Sequence, residues 1–181
     1  DSGKDIEACT WKSLAARFIK GMYLSKKDRE INPATEELYL ELFRESEELL
    51  DSKIQPTKPP QIILNIINNI RWDDVARRRR TNWQTLHELI GNKVEHLFDH
   101  LPDGTVPLGY VICLKDRDTI KKKLAAHRIF APIHWPLPEE VDIKKFPDSK
   151  MMTDSLLTLP IDQRYGPDDM IYIADALKDA L

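Results

Sequence analysis

The chain has 181 residues, a formal net charge of −3, and 41% hydrophobic and 31% charged residues. That length permits one domain with a real core, or a core plus an appendage, and the composition excludes a disordered chain. The charge gives no global footprint for nucleic acid, no apolar run approaches the ~20 residues that span a bilayer, and no secretory apolar stretch opens the sequence. The chain starts at Asp1 without a methionine, so a fragment or a processed product is expected. Cys9 and Cys113 lie far apart with no ligand spacing, which predicts unpaired structural thiols and a reducing, cytoplasmic setting.

In chain order, Trp11, Leu14, Ala15, Phe18 and Met22 recur at helical spacing and predict an amphipathic helix over 6–24 with these residues on its apolar face. After the polar break at 26–29, Thr35 offers an N-cap. Glu36 and Glu37 suit a helix start, and Leu38, Leu42, Phe43, Leu49 and Leu50 mark the apolar face of a helix ending near Leu50. Pro56, Pro59 and Pro60 make 51–60 a linker-like joint between an N-terminal helical segment, 1–55, and the remainder, 60–181. Pro60 suits the first turn of a short apolar helix, Gln61–Ile70.

A long helix is predicted from Trp72 to Ile90, with Gly91 as its stop. It carries Arg77, Arg78, Arg79 and Arg80, which fan out at ~100° per residue and so form no single flat patch. Solvation, or ion pairing with the acidic helix upstream, is the plain expectation; phosphate or nucleic-acid binding is the alternative. Residues 94–101 read as either a helical turn or a strand. His96, Asp99 and His100 fall short of a metal set, because no third ligand is pinned by spacing, and no metal is assigned.

After the turn signal at Leu101–Gly104, Val106–Leu114 is the strongest strand pattern. A helix capped by Asp116 or Asp118 follows, with Ile120, Leu124 and Ala125 facing inward and Lys121–Lys123 outward. Arg128–Pro138 sets Phe130, Ile133 and Trp135 among Pro132, Pro136 and Pro138; prolines at that spacing forbid a helix and predict an extended crossing laid on the folded body. Residues 139–150 read as polar and irregular. Leu156–Leu159 is a short strand stopped by Pro160, 161–166 is a turn, and Pro167 opens a last helix with Met170, Ile173, Ala174 and Leu177 inward. The fold class is therefore α+β: a small antiparallel or mixed sheet with helices packed on one face, preceded by an N-terminal helical segment. No phosphate-binding glycine loop, nucleophile elbow, Cys pair or zinc-protease helix occurs, and no catalytic residue is assigned.

Four stretches occur in order: R-R-R-R-T-N-W-Q-T-L at 77–86, V-P-L-G-Y-V-I-C-L at 106–114, H-R-I-F-A-P-I-H-W-P at 127–136, and L-T-L-P-I-D-Q-R-Y-G-P-D-D-M at 157–170. Together they resemble the C-terminal, small-domain part of DegT/StrS-type pyridoxal-phosphate aminotransferases, whose better-known members aminate nucleotide sugars. Arg78, Arg79, Asn82 and Trp83 match the family's helix, His134, Trp135 and Pro136 its H-aromatic-P segment, and Leu159, Pro160, Asp168, Asp169 and Ile173 its closing element. The likeness covers about 60–181 well and 1–59 loosely. One departure is that Arg128 is followed directly by Ile129, where the family has a glycine in R-G-I.

The resemblance implies pyridoxal phosphate in a full-length enzyme, with none held tightly by this chain alone. A missing large domain would supply the Schiff-base lysine; Lys4, Lys26 and Lys27 do not suit that role by context. It further implies a keto substrate, such as a keto-sugar, an amino-acid donor and possible homodimerisation. By the same analogy His134, Trp135 and Arg164 are the substrate-binding candidates. The plain alternative is internal packing for the first two and a surface turn for Arg164. A rival from another class is a stand-alone α+β binding module using the basic helix 77–80.

Overall fold

A computed structural model describes residues 2–25, 32–52, 59–134 and 140–181. Most of the expected proline-rich joint, 53–58, lies outside the described residues, as does 135–139. The chain divides into two compact units, Asp1–Ile70 and Arg71–Leu181.

The first unit is helical. Helix α1 (Ser2–Ser25) and helix α2 (Pro33–Ser52) form an antiparallel hairpin, since Cys9 meets Ser46 at one end and Tyr23 meets Tyr39 at the other, ring centroids 5.9 Å apart. The face that packs differs from the one the periodicity marks. Ala16 is fully buried, whereas Trp11, Phe18 and Met22 are 49%, 65% and 68% exposed. Small side chains decide this: Cys9, Ala16 and Ser46 let the two backbones approach, and the Cys9 thiol and the Ser46 hydroxyl each reach the other helix's backbone carbonyl. On α2 the buried residues are Tyr39 and Ser46, with Leu42, Phe43 and Leu49 half-buried, while Leu38 and Leu50 face outward. Lys20 lies over the rings of Tyr39 and Phe43, and Lys12 pairs with Glu45. Helix α3 (Gln61–Asn69) follows Pro60, which stands at its N-cap.

The second unit holds the core. Helix α4 (Trp72–Ile90) ends against Gly91, as its sequence predicts, and buries Asn82, Trp83, Leu86 and Ile90 on one stripe. Three strands, β1 (Glu95–His96), β2 (Tyr110–Cys113) and β3 (Leu156–Leu159), form an antiparallel sheet in that spatial order. The register sets Tyr110 opposite Leu159 and Ile112 opposite Leu157. All four are at most 1% exposed and join one cluster with Trp83, Leu86, Leu124, Met170, Ala174 and Leu177. Helix α5 (Arg117–Ala126) buries Ile120 and Leu124; helix α7 (Pro167–Ala180) buries Met170, Ile173, Ala174 and Leu177, the residues its periodicity selects. The α+β class is thus as read from the sequence.

Three local readings change. Strand β2 is shorter than Val106–Leu114, because Pro107 has no N–H for a ladder and its carbonyl is taken by Arg79. Ala125 is exposed rather than inward. Residues 139–150 are not irregular throughout: a 3₁₀ turn, Ile143–Lys145, leads into helix α6 (Pro147–Ser155). Pro147 at the first helical position and Asp148 in the first turn are the start signals for that helix.

Candidate functional site

The segment from Arg128 to His134 begins with a reversal at the end of α5. The Arg128 N–H bonds the Ala125 carbonyl and the Ile129 N–H bonds the Leu124 carbonyl, both at 2.9 Å, a Schellman pair. Such an ending needs a left-handed residue, and Arg128 takes it with φ of 60°. The left-handed position is thus filled by a residue that bears a Cβ.

Beyond it the backbone is extended. Ile129 and Ala131 are buried, while Phe130, Pro132 and His134 are exposed, an alternation of period two. The Pro132 carbonyl accepts from the Thr158 N–H at 3.2 Å, so the segment runs beside β3 on the side away from β2. Phe130, 71% exposed, rims a depression of about 290 Å³ lined also by Lys121, Ala125, Ile129, Ala131 and Pro132. His134 shares the outward side with Phe130 and Pro132; Trp135 lies outside the described residues.

Arg164 sits on the turn between β3 and α7. Its Nε and Nη2 donate to the two carboxylate oxygens of Asp162, each at 2.7 Å, and its guanidinium lies 5.5 Å from the Tyr165 ring centre. Burial pushes the Asp162 carboxyl up, but the hydrogen bonds and charge of Arg164 outweigh it and hold the group below the ordinary range.

What fixes this turn is α4. Asn82, 1% exposed, donates its side-chain amide to the carbonyls of Ile161, Asp162 and Tyr165 at 3.1–3.2 Å. Arg79 donates to the Gln163 side chain and to the Pro107 carbonyl, and Arg80 to the carbonyls of Pro102 and Thr105. Arg77 pairs with Asp74 on its own helix. Sequence reasoning quoted the R-R-R-R-T-N-W run without finding the Asn82 clasp. The available signal was an amide on the same stripe as Trp83, Leu86 and Ile90, where a buried polar group must find partners.

A second cluster lies at the other end of α4. Trp83 stacks on His87 at 4.8 Å, and His87 Nδ1 is 2.9 Å from the Tyr110 hydroxyl. Burial pushes the Tyr110 hydroxyl up to about 12. His96 meets Asp99 at 3.2 Å, and His100 is exposed. Among the described residues no three metal-ligating side chains are arranged to hold an ion. Cys113 and Cys9 are free thiols, and burial raises the Cys113 thiol.

No family model matches the sequence, and no curated protein does. Solved structures do match. A DegT/DnrJ/EryC1/StrS aminotransferase from Brucella abortus superposes with a TM-score of 0.54 and 16% identity, over 75% of this chain and 43% of that one. The chain has the fold of a DegT/StrS-type aminotransferase segment. A Streptococcus pneumoniae protein assigned as a sugar aminotransferase, in its PMP form, gives a TM-score of 0.59 and 17% identity, over 86% of this chain and 45% of that one. The chain therefore spans less than half the length of either aminotransferase. Among the described residues no helix is long and apolar enough to cross a membrane.

The depression beside Phe130 does not have the lining that pyridoxal phosphate would need. Lys121 lines the depression beside Phe130, but that lining brings no carboxylate for the ring nitrogen and no hydroxyl or guanidinium for the phosphate. Lys12, Lys123, Lys150 and Lys178 are each committed to a carboxylate or a carbonyl at the surface.

Proposed function

We propose that this chain is the C-terminal portion of a DegT/StrS-type, pyridoxal-phosphate-dependent aminotransferase. The whole enzyme transfers an amino group from an amino acid to a keto substrate, a keto-sugar being the favoured class. The observation that carries this is the agreement of two independent likenesses: the ordered motifs at 77–86, 106–114, 127–136 and 157–170, and the fold shared with two aminotransferases. In this reading the cofactor and its Schiff-base lysine belong to a large domain outside this chain. The chain contributes a cover that orients substrate and excludes water. His134 approaches the substrate from the extended segment and Arg164 from the turn before α7, and Trp135 is assigned to the substrate by the family likeness alone. Pairing of two such chains at the active site, and a cytoplasmic location, belong to the same proposal.

The rival basic-helix module needs a free arginine face. Arg79 and Arg80 are engaged by the Gln163 side chain and backbone carbonyls, so the run 77–80 presents no single free arginine face, which weighs against that module. The test is reduction with borohydride after adding pyridoxal phosphate. The isolated chain is expected to give no imine at a specific lysine, and the full-length protein to give one outside residues 1–181. A specific imine within this chain overturns the proposal.

A further inference from the structure

Two histidines meet where α4 passes the edge of the sheet. The rings of His87, on α4, and His96, on β1, stand at 84° with centroids 5.0 Å apart. Both line a cavity of about 400 Å³ together with Glu88, Gly91, Asn92 and Asp99, and no lysine or arginine lines it. Gly91 makes room for the His87 ring: a Cβ there would stand 3.0 Å from Nδ1 and 3.1 Å from Cε1.

The partners of the ring nitrogens decide where the protons sit. The Tyr110 hydroxyl is buried and keeps its proton up to about 12. Among the described residues its one hydrogen-bond partner is His87 Nδ1, at 2.9 Å. The hydroxyl therefore donates, Nδ1 accepts through a bare lone pair, and the His87 hydrogen belongs on Nε2. A charged His87 would set an N–H against that O–H. His96 is placed the other way. Its Nδ1 lies 3.2 Å from the Val94 carbonyl and its Nε2 3.2 Å from a carboxylate oxygen of Asp99. Both neighbours are acceptors, and a neutral imidazole has a hydrogen for only one of them. The other groups around His96 are His87 and Glu88 from α4 and the Tyr110 ring from β2, 6.4 Å away. Glu95, next to it on β1, is set opposite Cys113. None of these brings a positive charge.

We propose that His96 is a proton-operated latch for residues 94–99. Protonated, it ties the Val94 carbonyl to the Asp99 carboxylate, while Tyr110 holds His87 neutral so that the two rings touch without repulsion. Loss of the proton turns a bare nitrogen toward one of the two acceptors. It thereby loosens β1, an edge strand of two residues. The latch is closed at acid pH and opens as pH rises through the range in which imidazoles lose their charge. The Asp99 side chain is 94% exposed, so the effect has the modest scale of a solvent-screened ion pair.

The test is imidazole nitrogen NMR of the 181-residue chain, together with amide exchange at Leu97, whose N–H bonds the Val111 carbonyl. Where only one of the two rings is charged, the spectra should assign the charge to His96 and show His87 with its hydrogen on Nε2. After correction for intrinsic exchange, protection at Leu97 should fall about two- to fivefold between about pH 5 and about pH 8. His96→Phe should abolish that fall and Asp99→Asn should reduce it. The second change is exposed and nearly isosteric, so it serves even where the first disturbs folding, which the amide spectra report. A charge on His87 in place of His96, a His87 hydrogen on Nδ1, or an unaltered fall in Asp99→Asn overturns the latch.

Discussion

The two units use apolar side chains in opposite ways. In the second unit Tyr110, Leu86, Leu157, Ile161, Met170 and Leu177 are all within 1% of full burial. In the α1–α2 hairpin the helices meet through Cys9, Ala16 and Ser46, and Trp11, Phe18 and Met22 stand in the open. Hydrophobic spacing therefore marks a helix in both units but marks the packed face only in the second. Where small residues let backbones approach, they select the contact, and the bulky stripe is left for something else to cover.

The sharpest way to break that contrast is truncation. Leu157→Ala should cost about 2–5 kcal/mol, because β3 lies under the helix layer, whereas Phe18→Ala should stay within about 0.5 kcal/mol. Urea unfolding of both variants checks it, and a large loss for Phe18→Ala would mean that the outer face of α1 is already covered. Asn82→Ala should cost about 1–3 kcal/mol, since three carbonyls lose their donor; unfolding together with hydrogen exchange at 161–166 measures it. Gly109→Ala belongs to the same unit and tests crowding instead of loss. Its new Cβ would stand 2.1 Å from Thr158 Cγ2, so about 1–3 kcal/mol is expected, read from thermal unfolding.

Much of the second unit is legible in the sequence. Trp72–Ile90 with Gly91, the strand stopped by Pro160 and the helix opened by Pro167 all follow from caps and spacing that act within a few residues. What escaped depends on distant partners. The Asn82 grip joins positions about eighty apart, and the packed face of α1 depends on what α2 presents. Helix α6 was missed although its start signals are local, because its Lys-Met-Met-Thr-Asp run has no apolar periodicity and buries nothing. His134 and Arg164 are named as site candidates through resemblance alone, and neither the Asp162 brace nor the arginine contacts carry a signal in the sequence.

The smaller predictions refine the second unit. The folded state holds the Tyr110 proton up to about 12, against an ordinary 10.0, so this contribution is complete below pH 10 and is lost as pH rises toward 12. Phenolate absorbance recorded alongside unfolding should show Tyr110 ionising last and the second unit loosening in that window. Asp162 acts in the opposite direction. Its lowered carboxyl contributes stability above the ordinary carboxylate range, lost as pH falls through the folded value, and Asp162→Asn should flatten the acid limb of a stability profile. The least effect belongs to Arg128→Gly, which relieves a left-handed Cβ at the end of α5. A gain of a few tenths to about 1 kcal/mol is expected from thermal unfolding, the chain-entropy cost of glycine offsetting part of the relief.

The bond from the Thr158 N–H to the Pro132 carbonyl has a consequence for self-association. An open β3 edge would offer its N–H groups to any extended chain, including a strand of another copy. Here that edge is occupied by the molecule's own segment, and the occupant brings a proline that cannot pass the ladder on. The sheet is thereby closed to growth at this position.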